Sequence, residues 1–177
     1  VINDDIWFSK FTEIKKEKNL SNVSIIGCSN ISTPCTVGIK TKFIVVPAYM
    51  MNSFDDVEID YILRHEVYHV SHGDLPRKIL MMVLNCANWF NPLYYILRES
   101  LSEWMEVACD EEITKYFDKN QRMKYCQLIL KILELERSGN EEIKFSIGFA
   151  GFDVKNYKRR MTKIMKRNQI NGLWGKV

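Results

Sequence analysis

Apolar positions recur at helical spacing in six stretches of this chain and cluster at strand-like spacing in only one region near the N-terminus. Residues 4–18 place Ile6, Trp7, Phe11 and Ile14 on one helical stripe before the polar run KKEKN. "NVSIIGCS" reads as a short strand. "STPCTVGIKTKFIVVPAYM" reads as a turn followed by one or two strands, punctuated by Pro34 and Pro47. Beyond about residue 53 the period becomes helical. "SFDDVEIDYILRHEVYHVSHG" is the strongest helix: Ser53 or Asp55 can cap it, acids fill its first turn, and Gly73 can end it. Ile59, Leu63, Val67 and Val70 form the stripe expected to face the core, and Ile62, His65, Glu66, His69 and His72 form the stripe beside it. "PRKILMMVLNCANWF" predicts another helix, and Asn91-Pro92 then starts a long helix reaching about Tyr116. "KNQRMKYCQLILKILELERS" is amphipathic. "GNEEIKFSIGFAGFD" reads as a loop that could hold a short strand, and "VKNYKRRMTKIMKR" as a basic helix.

Residues 79–97 contain no charged side chain and match a membrane span in length. Asn85, Asn88, Asn91 and Pro92 interrupt them, so two shorter buried helices are expected instead of a span. A surface lying against a bilayer is the lesser alternative.

All three histidines fall within eight residues, at His65, His69 and His72. His65-Glu66-x-x-His69 is an H-E-x-x-H pattern. Residues four apart on a helix stand one above the other, so two imidazoles can grip one ion. Glu66 lies about 100° round the helix from His65 and can reach a water without binding the ion. Zinc accepts imidazole nitrogen, and a catalytic site adds one more protein ligand and leaves a position open. That ligand is expected on the next long helix, where Glu99, Glu103, Glu106 and Asp110 line one face. Glu106 would bind the metal, with Glu103 as the alternative. Asp110, one turn on, could accept a hydrogen bond from the far nitrogen of a ligand histidine. His72 is the weaker candidate, because its Cα is about 10 Å from that of His65; a supporting role suits it better. Cys109 points about 100° away from Asp110 and is expected to be a buried small side chain.

Composition narrows the setting. A length of 177 residues fits one domain, and the mixed charges with sparse Gly and Pro exclude a disordered chain. The five scattered cysteines contain no C-x-x-C pair, which favours a reducing compartment. Eight basic residues and no acid lie in 155–177, so with a net charge of +3 overall, residues 1–154 carry −5. The basic character belongs to the tail, which has no DNA-binding motif; no direct nucleic-acid contact is expected.

Several ordered motifs together resemble the BlaR/MecR-type membrane metallopeptidases, the antirepressor signal transducers of bacterial β-lactam resistance, which are gluzincins. They are "STPCTVGIKTKFIVVP", "HEVYHVSHGD" with its acid at Asp74, "NWFNPL", "EVACDEE" and "GFAGFDVKNYKRRMTKIM". The resemblance implies zinc on His65, His69 and Glu106, Glu66 as general base, and Asp74, Asp110 and His72 as supporting residues. It implies an α+β, mainly helical, zincin-like domain over 1–177: a strand-rich part to residue 52, a helical catalytic core over 53–137, and a loop with a basic helix over 138–177. It further implies a piece of a longer membrane protein, on the cytoplasmic face of the bacterial cell membrane, which cleaves a transcriptional repressor and also its own chain. The basic tail would then precede a span. An edge strand from residues 36–47 is expected to bind substrate by strand addition. Tyr157, His72, Arg159 and Arg160 are candidates for stabilising the strained intermediate. Two other readings stand beside this one: a membrane-linked gluzincin of the prenyl-protein or quality-control type, and a non-catalytic zinc-stabilised signalling module.

Overall fold

The computed structural model describes residues 4–138 and 154–174, with side chains over 6–135 and 156–166. The loop expected over residues 139–153 lies outside the described residues. The chain divides into two compact units, residues 1–105 and 106–177.

The first unit opens with α1 (Asp4–Glu17), followed by β1 (Val23–Cys28), β2 (Cys35–Val37) and β3 (Lys42–Pro47). A single 3-10 turn, Ala48–Met50, leads to α2 (Asp56–His72), then α3 (Asp74–Ala87) and the start of α4 (Pro92–Ile113). The helical stripes drive the packing. Trp7, Phe11 and Ile14 of α1 are buried, as are Ile59, Leu63, Val67 and Val70 of α2, and the two helices pack together. Trp7 Nε1 donates to Met51 O at 3.1 Å, so even the indole polar atom is satisfied in this core.

The sheet has the order β1-β3-β2. β1 runs parallel to β3, with Val23 opposite Lys42, and β2 runs antiparallel to it, with Cys35 opposite Val45. β3 is therefore the middle strand. Its residues Ile44, Val45 and Val46 are all buried, which explains a continuous apolar run where a half-exposed strand would alternate. This corrects the expectation of an edge strand from residues 36–47: within that stretch β2 is an edge strand, but β3 is paired on both sides. Lys42 Nζ donates to Val70 O at 2.9 Å and ties the start of β3 to the last turn of α2.

α2 begins and ends where its sequence signals fall. Asp55 caps it, accepting from the Val57 and Glu58 amides, and Glu58 returns a bond to the Asp55 amide, a complete capping box. Gly73, at φ 67°, ends it in the left-handed region.

α3 and α4 form as two helices with a break at Asn88–Asn91, as the interruptions in 79–97 predict. Their burial differs from expectation. Met81 and Asn85 face inward, whereas Leu80, Val83, Trp89, Phe90, Leu93 and Ile96 are exposed. With no charge on either face, the pattern could not mark the solvent side. None of the described helices is long and apolar enough to cross a membrane.

The second unit contains the end of α4 from Glu106, then α5 (Lys119–Ser138) and α6 (Val154–Trp174), which pack on each other. Tyr125, Leu128, Ile129 and Leu133 of α5 and Ile164 of α6 are buried. The basic helix extends further than its sequence signal at 154–167.

Gly38 closes the β2–β3 turn at φ 90°, and a Cβ there would stand 2.1 Å from the Thr41 carbonyl oxygen. Gly73 is also left-handed but faces open space. Gly73→Ala is expected to cost about 1–2 kcal/mol from backbone strain alone, and Gly38→Ala distinctly more, read as shifts of the urea unfolding midpoint. Equal losses would show that the turn backbone relaxes around the new methyl.

Candidate metal centre

α2 positions the first part of the site. His65 and His69 sit one turn apart, and their Nε2 atoms approach to 3.1 Å with the rings edge to face. Two imidazole nitrogens in tetrahedral positions at zinc, each about 2.0–2.1 Å from the ion, stand about 3.3–3.4 Å apart. The pair is thus aimed at a shared point with a spacing that a metal ion of this size fits.

The turn at Gly73 supplies what holds His69. The left-handed residue ends α2 and starts α3 at once, which brings Asp74 back against the last turn of α2. His69 Nδ1 lies 2.7 Å from Asp74 Oδ2. A carboxylate only accepts, so the ring proton belongs on Nδ1 and the Nε2 lone pair points at His65. Asp74 is buried, and its other oxygen accepts from Arg77 Nη1 at 3.0 Å. Burial alone would raise the Asp74 pKa. The hydrogen bond and charge of His69, with Arg77 and Lys78, outweigh it and hold the carboxyl below its ordinary range.

Glu66 is buried beside the pair on the same helix. Thr36, in the middle of β2, donates to Glu66 Oε2 in a long contact of 3.4 Å. No feature of the sequence pointed to Thr36, because the contact depends on how β2 meets α2. Burial, then the charges of Glu66 and Cys28, push the Cys35 thiol pKa up. That favours the neutral thiol there.

His72 is turned elsewhere. Its ring stacks on Tyr68 at 3.8 Å, and Nδ1 is 3.1 Å from the Tyr68 carbonyl oxygen and from Ser71 Oγ. It is exposed, whereas His65 and His69 are half-buried. Glu103 is half-buried on α4.

In the second unit, Glu106 and Asp110 belong to a network that sequence reading did not anticipate. Arg160 of α6 donates from Nε to Asp110 Oδ2 at 2.7 Å and from Nη2 to Asp110 Oδ1 at 2.8 Å, a bidentate pair. Its Nη1 lies 3.2 Å from Glu106 Oε2. Tyr125 donates to Asp110 Oδ1 at 3.0 Å. The carboxylate that engages His69 is therefore Asp74, while Asp110 holds Arg160. Burial would lower the Arg160 pKa, but the Asp110 carboxylate, with Glu106 behind it, drives it well above its usual value. Burial and then the Asp110 charge likewise keep Tyr125 protonated. The Arg160 guanidinium also lies 5.7 Å from the centre of the Tyr157 ring. Cys109 is fully buried.

Two imidazoles converge on one point, one of them held by Asp74, with Glu66 buried on the same helix, so the pair could bind a metal ion. The chain belongs to the BlaR1 peptidase M56 family, whose model matches residues 4–164. It is 30% identical over 142 residues to the methicillin resistance mecR1 proteins of Staphylococcus aureus and Staphylococcus epidermidis, covering 79% of this chain and 24% of each relative. It is 27% identical over 166 residues to the regulatory protein BlaR1 of Bacillus licheniformis, covering 93% of this chain and 27% of that protein. The chain thus spans about a quarter of the length of these relatives.

Removing one partner of a buried ion pair strands the other charge. Arg160→Met is expected to destabilise the chain by about 3–5 kcal/mol, measured by urea unfolding. The double variant Arg160→Met/Asp110→Leu should recover part of that loss. A cost under about 1 kcal/mol for Arg160→Met, the range of surface pairs, would show that the network contributes little to stability.

Proposed function

We propose that this chain is a zinc endopeptidase domain in which His65, His69 and Glu106 bind the ion and Glu66 is the general base. In this reading it belongs to a signal transducer at the cytoplasmic face of the bacterial cell membrane. It cuts a transcriptional repressor and its own chain, as in the induction of β-lactam resistance, and the spans that anchor it lie outside this chain. The fold is read as zincin-like, a single peptidase domain. The observation that carries the proposal is the 3.1 Å approach of the two Nε2 atoms with Glu66 buried on the same helix. Membership of a peptidase family and the printed names of the relatives support it.

Each residue has a task. Asp74 keeps the His69 proton on Nδ1, so that Nε2 can donate its lone pair to the metal. A bound zinc ion supplies a Lewis acid that polarises the peptide carbonyl and acidifies water. Glu66 takes a proton from the water that attacks the carbonyl carbon. A C–O bond forms, the C–N bond breaks, and Glu66 returns the proton to the departing amine. Thr36 steadies Glu66 Oε2 from β2. The open edge of β2 offers backbone groups to an extended substrate, which places the peptide beside the base. Arg160, through Nη1, orients the Glu106 carboxylate. Asp110 supports the site by fixing Arg160, and His72 contributes at its margin by packing on Tyr68.

Zinc content and cleavage separate these roles. Glu66→Gln should keep about one zinc per chain while cleavage of the repressor and of the chain itself falls by about 10²–10⁴-fold. Glu106→Gln should lose most of its zinc, and Asp74→Asn should weaken zinc binding by about 10–100-fold. Near-stoichiometric zinc in Glu106→Gln would remove Glu106 as a ligand. Undiminished cleavage by Glu66→Gln would remove the base, and no cleavage by any form that binds zinc would leave a metal-stabilised signalling module.

A further inference from the structure

The exposed apolar faces of α3 and α4 point to a surface that the peptidase reading does not use. On α3, Leu80 and Val83 are more than half exposed, while Asn85 is turned inward. On α4, Leu93 and Ile96 are more than half exposed. Between the helices, Trp89 and Phe90 are 71% and 69% exposed. Two aromatic side chains of about 200 Å² each already present about 280 Å² at these exposures, and the exposed aliphatic side chains of α3 and α4 add to the apolar surface of this segment.

We propose that the α3–α4 segment is a membrane-contact element that rests in the interface of an anionic bilayer, with Trp89 and Phe90 of its connecting turn in the lipid. Any attachment through spans outside this chain would be a separate one; here the described chain carries its own contact.

Three observations select lipid over water or a protein partner. First, charge is distributed as an anionic surface requires. From Leu75 to Arg98 there is no acid, and the cations Arg77, Lys78 and Arg98 bracket the 19 uncharged residues, although residues 1–154 as a whole are acidic. Arg77 keeps 56% of its side chain exposed even while pairing with Asp74. Second, the polar side chains at the turn are engaged with its own backbone. Asn88 Nδ2 donates to Leu84 O at 2.9 Å, Asn91 Oδ1 accepts from the Leu93 amide at 3.0 Å, and the Tyr95 hydroxyl donates to Trp89 O at 3.0 Å. The Asn91 amide closes on Asn88 O at 2.9 Å, and Pro92 brings no amide hydrogen at all. A hydrocarbon environment demands such internal satisfaction, whereas a protein interface of this size uses about one hydrogen bond per 100–200 Å². Third, α3 has 14 residues, about 21 Å, well short of the about 30 Å hydrocarbon core, and no described helix is long and apolar enough to cross a membrane, so the segment is read as lying in the interface.

The test uses the purified 177-residue chain and vesicles of phosphatidylcholine, alone or with roughly 30% phosphatidylglycerol. Co-sedimentation should show binding to the anionic vesicles, at least about ten-fold weaker to the neutral ones. Trp89→Ser/Phe90→Ser should lower binding by at least about ten-fold with an unchanged thermal midpoint, because both side chains are exposed. Lipids brominated on their acyl chains should quench the tryptophan emission, and Trp89→Phe should remove most of that quenching. A chain that leaves both vesicle types in solution, binding that the double substitution does not change, or quenching that survives in Trp89→Phe would overturn the proposal. A dimer that the double substitution dissolves, in place of vesicle binding, would overturn it by assigning the face to a second copy.

Discussion

The bond between His69 Nδ1 and Asp74 Oδ2 decides what the helix α2 can offer. Its partners are five positions apart, and in an unbroken helix they would point about 140° away from each other. The left-handed Gly73 removes that obstacle by ending one helix and starting the next in a single residue. Asp74 then stands at the N-terminus of α3, where the helix field favours its negative charge. Arg77, one turn along, takes the second oxygen. The result is a carboxylate that stays ionised although it is buried, and an imidazole whose lone pair is committed to the side facing His65. Without the turn, the two histidines would be a polar stripe with unassigned tautomers. With it, they are a matched pair of donors.

The same unit buries charge and exposes hydrocarbon. Glu66, Asp74 and Asn85 face inward, while aliphatic and aromatic side chains of α3 and α4 face outward. Each half of this inversion has a cost on its own: a buried carboxylate needs partners, and an exposed apolar face favours association. For Asp74 the partners are visible in His69 and Arg77. For the apolar face, the proposed bilayer contact would supply the compensation, because in that interface the outward hydrocarbon is the stable arrangement.

What could be read from the chain, and what could not, divides along sequence distance. The six helices follow from local period, and the Asp55 cap and the Gly73 stop need only their neighbours, so the frame of α2 was legible to within a residue or two. The His65–Glu66–His69 grouping was legible for the same reason. Strand order was not, because the pairing of β3 with both β1 and β2 is a long-range choice that a run of apolar residues fits equally well at a centre or at a side. The outward face of α3 and α4 was hidden by the lack of charge: amphipathic direction is encoded by polar residues, and 79–97 has few. The acidic stripe on α4 illustrates the third limit. Glu106 and Asp110 look like any solvated face until a cation from a helix 50 positions away selects between them.

That selection bears on why one acid, and not two, would serve a metal. Asp110 is buried and receives two bonds from Arg160 and one from Tyr125, so its charge is matched within the second unit. Arg160 reaches Glu106 with a single nitrogen. Under the proposed ligand set, two neutral imidazoles and one carboxylate leave a divalent ion with a net charge of +1. A second carboxylate at the ion would cancel that charge and weaken the pull on a carbonyl oxygen. Removing Asp110 alone would free Arg160 to engage Glu106 with its whole fork, in competition with the ion. Asp110 and Arg160 therefore set the electrostatics at Glu106, the proposed third ligand, as a pair, and the one-turn spacing of Glu106 and Asp110 is what lets a single arginine reach both.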